Sequence, residues 1–451
     1  MYMDQVFFAL DIDQMFDLEN VAVLPSIYSV SHLASSSMAA VGCAIGELLL
    51  QLGLRSNLPL VELDQTLASH WFAQSVYPID WHLPPVWDAI AGDYECSDGW
   101  IKLHTNLDHH RNAALSVLGC DNSRHAVATA VAQWSGSDLE SKIVESGGVA
   151  AAMRTRKQWL AHPQGVALKS EPLVAWSEPR KGSVQSWSPT ISEPLNGLKV
   201  LDLTRVLAGP VSTRMLAGFG ADVLRIDPPG WDEPNVVPDI TLGKRCAGLD
   251  LSKSDDRSAF IELLSNADVL VHGYRPNALE GLGFGKEVRQ QLNSNLIEVS
   301  LNAYGWSGPW SGRRGFDSLV QMSCGIAHEG MKFFGKQKPT PLPVQALDHA
   351  TGYLMAAAVI KALSRAVNDG QIFSAQLSLA RTAELLISHP QENGCDLIDG
   401  NPVDDHFSQQ IENTPWGKAR RLKPALRVED TPMKWPLAAN KLGSSAPRWE
   451  N

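Results

Sequence analysis

The sequence predicts an α/β protein with a large, Rossmann-like domain on a parallel sheet and a smaller α/β domain. Three observations carry this. Residues 195 to 310 alternate short apolar runs with helical periods. Glycine and proline punctuate the ends of those runs. Residues 30 to 165 carry a mixed pattern, and a stretch rich in Pro, Ser, Glu and Lys separates the two regions.

The elements follow in order. A helix is expected from Ser36 to Leu50, a strand from Leu58 to Leu63 and a helix from Asp64 to Gln74. Gly99 to Leu103 reads as a strand and Ser137 to Glu145 as a capped amphipathic helix. In the large domain, Leu198 to Leu203 is a strand, Ala208-Gly209-Pro210 a turn, and Val211 to Phe219 a helix stopped by Gly220. The strand Asp222 to Ile226, a helix near Asp255 to Asn266 and the strand Asp268 to His272 come next. A helix from Pro276 and the strand Leu296 to Ser300 complete the alternation, which implies βαβ units. The expected divisions are 1–84, a helix–strand–helix segment joining the large domain; 85–165, the small domain; 166–194, a linker; 195–390, the large domain; and 391–451, an extended tail.

A weak internal repeat accompanies this pattern. A shift of 314 places Leu377 on Leu63, Leu363 on Leu49 and Ala358 on Ala44, and it places Asp348 on Ala34. Only one copy then carries the carboxylate.

Composition narrows the function. The chain has 451 residues, 44% apolar and 19% charged, with a formal net charge of −11. That balance argues against a nucleic-acid partner but not against an anionic ligand held by a local basic cluster. Six scattered cysteines without a CxxC read as reduced thiols, which suits a cytoplasmic setting. The start, Met1-Tyr2-Met3-Asp4, lacks a basic signal-peptide region. The apolar run Met38 to Leu54 is interrupted by Gly42, Gly46, Glu47 and Gln51, so it reads as a packed helix rather than a membrane span.

The most informative stretch runs from Gly315-Phe316-Asp317 to Pro341 through Asp348, then into an Ala-rich helix. A short apolar strand ending in Asp348 is expected, with the helix directly behind it. Amides at a helix N-terminus favour an ionised carboxylate there. From these residues alone, Asp348 is either a helix cap or a nucleophile.

Four stretches resemble the class III CoA-transferase family, which includes formyl-CoA and carnitine CoA-transferases and the α-methylacyl-CoA racemases. They are Pro194 to Pro210 with Gly220 to Gly230, Gly243-Lys244-Arg245 with Leu249 to Leu251, Ala267 to Leu279 with Leu282-Gly283, and Gly305 to Trp310 through Gly315-Phe316-Asp317 to Asp348. Asp98 to Leu103, Glu145 to Ala151 and His162-Pro163-Gln164 resemble the family's small domain. The later half of the family pattern thus stands before the earlier half, as in a fused or permuted chain.

The resemblance implies that Asp348 is the catalytic nucleophile, moving CoA from an acyl-CoA donor to a carboxylic acid acceptor through an aspartyl-CoA thioester. It implies that Leu207, Ala208, Leu249, Asp250, Leu251, Gly273, Tyr274 and Arg275 line the groove for coenzyme A, a substrate rather than a tightly bound cofactor. Arg275 then suits phosphate, with Lys244 and Arg245 as further candidates. Amides near Ala350 and Thr351 are expected to stabilise oxyanion charge. Pro228 stands where the family often has a basic residue. An interlocked homodimer is also implied.

Phe316 stands where the racemases resembled here carry His, and a phenyl ring cannot exchange protons, which favours a transferase. The alternatives are a racemase or isomerase of the same superfamily and a catalytically degenerate CoA-binding partner protein. A nicotinamide-dependent dehydrogenase fits poorly, because the first turn has Gly209-Pro210 in place of three glycines. His109 and His110 are expected on a surface turn, not at a metal.

Overall fold

The computed structural model describes residues 2–184, 187–391, 396–398 and 400–450. Its largest sheet has seven strands, in the order Lys244–Gly248, Asp222–Asp227, Lys199–Leu203, Val269–His272, Ile297–Asn302, Ala375–Ser378 and Ala175–Trp176. The first six run parallel, and the last closes the edge antiparallel. Numbered along the chain from Lys199, the parallel strands read 3-2-1-4-5-6, the doubly wound order. Val200, Leu201, Leu270, Val271 and Val299 are fully buried, as expected for strands covered on both faces.

A smaller antiparallel sheet, Gly92–Cys96, Gly99–Leu103 and Ala150–Ala152, carries its own core with Ile90, Tyr94, Leu139 and Ile143. Ser135 caps its helix Gly136–Glu145, accepting from the Asp138 amide.

The internal repeat has a physical counterpart. The shift of 314 maps the strand Ala375–Ser378 onto Val61–Asp64 residue for residue, and the following helices start at Leu379 and Gln65. The long helices Ala346–Asp369 and Val30–Gln51 also correspond, and they pack against each other at the centre of the molecule. Both are long and apolar enough to cross a bilayer, yet 89% of each apolar window is buried inside the protein. Lys361 and Glu47, themselves related by the shift, join the two helices through a 2.6 Å ion pair.

Two expectations change here. Residues 166 to 194 are more than a linker: Ala175–Trp176 adds a strand to the large sheet, and Arg180–Lys181 pairs with Gln371–Ile372. The tail is also structured. Leu426–Val428 lies antiparallel to Val61–Asp64, and Gly417–Arg421 pairs with Val76–Pro78. Each copy of the repeat therefore receives its edge strand from a remote part of the chain. Cys43, Cys96, Cys120, Cys246 and Cys324 are free; Cys395 lies outside the described residues.

The Glu47–Lys361 pair yields a stability prediction. Both side chains are largely buried, at 13% and 7% exposure, so removing one partner strands the other charge. Lys361→Met should cost about 3 to 5 kcal/mol in urea unfolding, and adding Glu47→Leu should recover most of it. A loss below about 1 kcal/mol would mean that apolar packing alone holds the helices together.

Candidate active site

The site begins with how the Asp348 helix starts. Pro341 and Pro343 lack backbone donors, so the expected strand before Asp348 does not form, and residues 341 to 345 are irregular. Gln345, at the N-cap, supplies no side-chain cap. The cap arrives from another helix. The Asp317 carboxylate accepts the amides of Leu347 at 2.9 Å and Asp348 at 3.0 Å, and Gln321 Nε2 donates to its other oxygen at 2.5 Å. Gln321 Oε1 in turn accepts the Leu342 amide at 2.8 Å. The cap is thus Asp317, and Asp348 is left without that role.

Gly352 sets the depth of Asp348. It lies one turn further along, and a Cβ there would stand 2.3 Å from the Ala208 carbonyl oxygen. The absence of a side chain lets the helix press against the turn after the strand Lys199–Leu203. That turn is itself strained: Val206, a β-branched residue, has φ +62°, and its amide donates to Glu233 at 2.6 Å.

Asp348 retains 7% exposure and opens onto a cavity of about 450 Å³. The cavity lies beyond the carboxyl ends of the parallel strands, where the strand order reverses between Lys199–Leu203 and Val269–His272. Doubly wound sheets bind ligands at this position. Among the described residues, no donor reaches the Asp348 carboxylate. Burial and the neighbouring Asp317 charge push its pKa up, and burial pushes Asp317 up as well. The helix amides expected to support an ionised Asp348 are already occupied by Asp317, while lost water and a second carboxylate oppose its charge. The Ala350 and Thr351 amides lie past the first four of the helix, so they are not the free donors expected at an oxyanion.

The cavity brings together Leu207, Ala208, Gly273, Tyr274, Arg275, Phe316 and Asp348. Leu249, Asp250 and Leu251 do not line it. Leu249 and Leu251 pack into the core with Phe260 and Leu279, and Asp250 accepts from Ser252. Lys244 and Arg245 are not free cations either. Lys244 is fully buried against Asp202 at 3.0 Å, its ammonium held down to about 8 by burial, and Arg245 pairs with Asp222 at 2.8 Å.

His109 and His110 sit in the helix Asp108–Leu118 rather than on a surface turn, and both line the cavity. His110 is 2% exposed, and burial lowers its pKa to about 3, so it is neutral. Phe316 stacks on His104 with ring centroids 4.0 Å apart. Arg205 lines the same cavity beside Pro228, but it spends its charge on Asp227 at 3.3 Å. Arg313, Arg314 and Trp231 also line it. Sequence reasoning missed these three, although Arg313-Arg314 directly precede Gly315. No three His, Cys, Asp or Glu side chains among the described residues converge on a metal position.

Residues 195–395, which hold Asp348 and the whole parallel sheet, match the model of CoA-transferase family III. This part of the chain is similar to that family. The chain is 34% identical over 214 residues to an acetyl-coenzyme A transferase, nodX, of Hypoxylon pulicicidum, covering 45% of this chain and 36% of that one. It is 31% identical over 193 residues to a probable fatty acyl-CoA transferase, Rv3272, of Mycobacterium tuberculosis, covering 40% and 48%. A crystal structure of Rv3272 aligns at 30% identity over 43% of this chain and 57% of that one, with a TM-score of 0.38. The chain spans about half the length, or less, of these curated relatives.

The raised pKa of Asp348 has a stability consequence. Between its ordinary value and the raised one, the folded state holds a proton that the unfolded state has released. Stability therefore falls as pH rises through that window. Asp348→Asn removes the titration and should raise the melting temperature at pH 7.5 by about 2 to 6 °C, with the gain fading towards pH 4. An unchanged or lowered melting temperature at pH 7.5 would show that the carboxylate is solvated or paired.

Proposed function

We propose that the protein is an acyl-CoA transferase that moves CoA from an acyl-CoA donor to a carboxylic acid acceptor through an aspartyl-CoA thioester on Asp348. The supporting observation is the Asp348 carboxylate, buried, without a donor among the described residues, and lining the cleft at the switch point of the sheet. Such a carboxylate serves no cap or ion pair. In its ionised form it is poorly solvated, which suits a nucleophile.

The chemistry divides into balanced steps. A carboxylate oxygen of Asp348 attacks the thioester carbonyl carbon, the C–S bond breaks, and CoA leaves as a thiolate with a mixed anhydride behind it. The thiolate attacks the Asp348 acyl carbon, and the donor acid departs as a carboxylate. The acceptor carboxylate then attacks the aspartyl thioester, releasing thiolate and forming a second anhydride. Thiolate attack on the acceptor's acyl carbon yields the new thioester and frees Asp348. Neither water nor a net proton enters, so an enclosed cleft is an advantage.

In this reading Leu207, Ala208, Gly273 and Tyr274 line the path of coenzyme A, and Arg275 meets a phosphate. The proposal gives Leu249 to Leu251 no direct contact. Coenzyme A is a substrate, and no tightly bound cofactor is assigned. The same proposal includes a cytoplasmic setting and a homodimer. A racemase reading is disfavoured because Phe316 occupies the wall beside Asp348 and offers no proton.

Incubation with an acyl-CoA and hydroxylamine should inactivate the protein and leave a hydroxamate on Asp348, detected by peptide mass spectrometry. Asp348→Asn should lower transfer by about 10,000-fold or more. If no thioester in a broad acyl-CoA panel marks Asp348, the transferase reading fails in favour of a CoA-binding partner protein.

A further inference from the structure

The helix Ile326–Phe333 ends in a turn that stands clear of the body, with every residue from Lys332 to Lys338 exposed. Its apolar stripe begins on Ile326, Ala327 and Gly330, all buried. The helical period carries the same stripe on to Phe333 and Phe334, where nothing covers it. The two rings are 62% and 40% exposed and meet edge-on, with centroids 5.0 Å apart. Single exposed apolar side chains such as Phe8 are ordinary, but an adjacent pair at the tip of a turn is not.

The turn holds the rings out. The Lys336 amide donates to the Met331 carbonyl oxygen at 2.9 Å and the Gly335 amide to that of Lys332 at 3.2 Å, with Gly335 at φ +61°. The returning chain is tied to the helix, because the Thr340 amide donates to the Ala327 carbonyl oxygen at 3.0 Å. A Cβ at Gly330 would stand 2.3 Å from the Thr340 carbonyl oxygen, so the two segments lie in close contact.

The charge around the pair is opposite in sign to that of the whole chain. Lys332, Lys336 and Lys338 flank the rings, on a protein of net charge −11. Glu329 is the single acid between Ile326 and Gln345, and it meets His328 at 2.8 Å and Lys332 at 3.8 Å. Among the described residues no carboxylate pairs with Lys336 or Lys338. Lysine is depleted at the centre of protein–protein interfaces, whereas lysine beside phenylalanine suits an anionic lipid surface. Area decides the same way. The two rings offer together about 200 Å² of apolar surface, well short of the roughly 800 Å² per partner of a stable protein complex.

We infer that the Phe333–Phe334 turn docks the protein on an anionic phospholipid surface, the rings entering the headgroup boundary and the three lysines meeting the anionic headgroups. Two rings and three charges give a weak, reversible attachment. Docking is independent of the chemistry at Asp348 and stands or falls separately from it.

Co-sedimentation with vesicles tests this. The native protein should bind phosphatidylcholine vesicles carrying about 30% phosphatidylserine at least about 10-fold more strongly than vesicles of phosphatidylcholine alone. Sodium chloride at about 0.5 M should remove most of that difference. Phe333→Ser combined with Phe334→Ser should weaken binding about 10-fold or more. Lys336→Gln combined with Lys338→Gln should weaken it about 10- to 30-fold. These side chains are exposed, so melting temperatures should hold within about 2 °C. Phe8→Ser, at an equally exposed phenylalanine without lysines around it, should leave binding unchanged. No binding to either vesicle, equal binding to both, or an equal loss with Phe8→Ser would overturn the inference. Loss of self-association in the double phenylalanine variant, with vesicle binding intact, would also overturn it and assign the rings to contact between copies.

Discussion

The arrangement depends on one carboxylate capping another residue's helix. Asp317 accepts the amides of Leu347 and Asp348, and so takes the interaction that a helix N-terminus would otherwise offer to Asp348. Without Asp317, Asp348 could turn back onto its own amides and become an ordinary N-terminal carboxylate. With it, the two acids lie side by side in a dry region, and burial together with mutual repulsion raises both pKa values. Asp348 is thereby left without partners among the described residues, which is what the proposed nucleophile requires. Gly352 completes the device by letting the helix approach the Ala208 turn, which brings Asp348 to the cleft wall.

Four strands of the parallel sheet were legible because each carries its own signal, whereas Lys244–Gly248 was not read as a strand. Lys199–Leu203 and Val269–His272 are apolar runs bounded by turn residues, and their order along the chain constrains how they stack. The site was legible only in part. Leu207, Ala208 and Gly273 to Arg275, which the family resemblance implied, lie just after strand ends and line the cleft. The Asp317–Asp348 relation joins residues 31 positions apart through a fold that no local pattern encodes. Local reading of Asp348 therefore left cap and nucleophile open, because the acid that takes the cap is remote in sequence. Lys244 failed for a similar reason. A lysine beside an arginine reads as a phosphate partner or a solvated charge, but its neighbours on the sheet bury it against Asp202.

The repeat explains the reach of the chain. The strand Ala375–Ser378 is edged by Ala175–Trp176, and its counterpart Val61–Asp64 by Leu426–Val428. Each edge strand comes from the segment that follows the other copy, so the two halves are threaded through one another. A buried polar cluster seals this crossing: Arg214, from the large domain, and Arg421, from the tail, both meet Asp239, while Arg421 Nη1 donates to Ser75 Oγ at 2.8 Å. The large domain and the tail thus share one buried set of charges, to which Ser75 adds a hydroxyl.

The two copies of the repeat also differ at the position of Asp348. In the first copy the position equivalent to Asp348 is Ala34, fully buried in the helix Val30–Gln51. A carboxylate there would need its own Asp317-like cap and a cleft beside a doubly wound sheet. The first copy supplies only the short sheet Asp17–Glu19, Val61–Asp64 and Leu426–Val428. An acid at position 34 would then be buried with neither cap nor substrate, a cost with nothing to offset it. Alanine removes that cost and lets the helix pack flat against its counterpart. The first copy thus serves as the wall against which the Asp348 helix is held, and the asymmetry between the two copies follows from which one kept a sheet large enough to have a switch point.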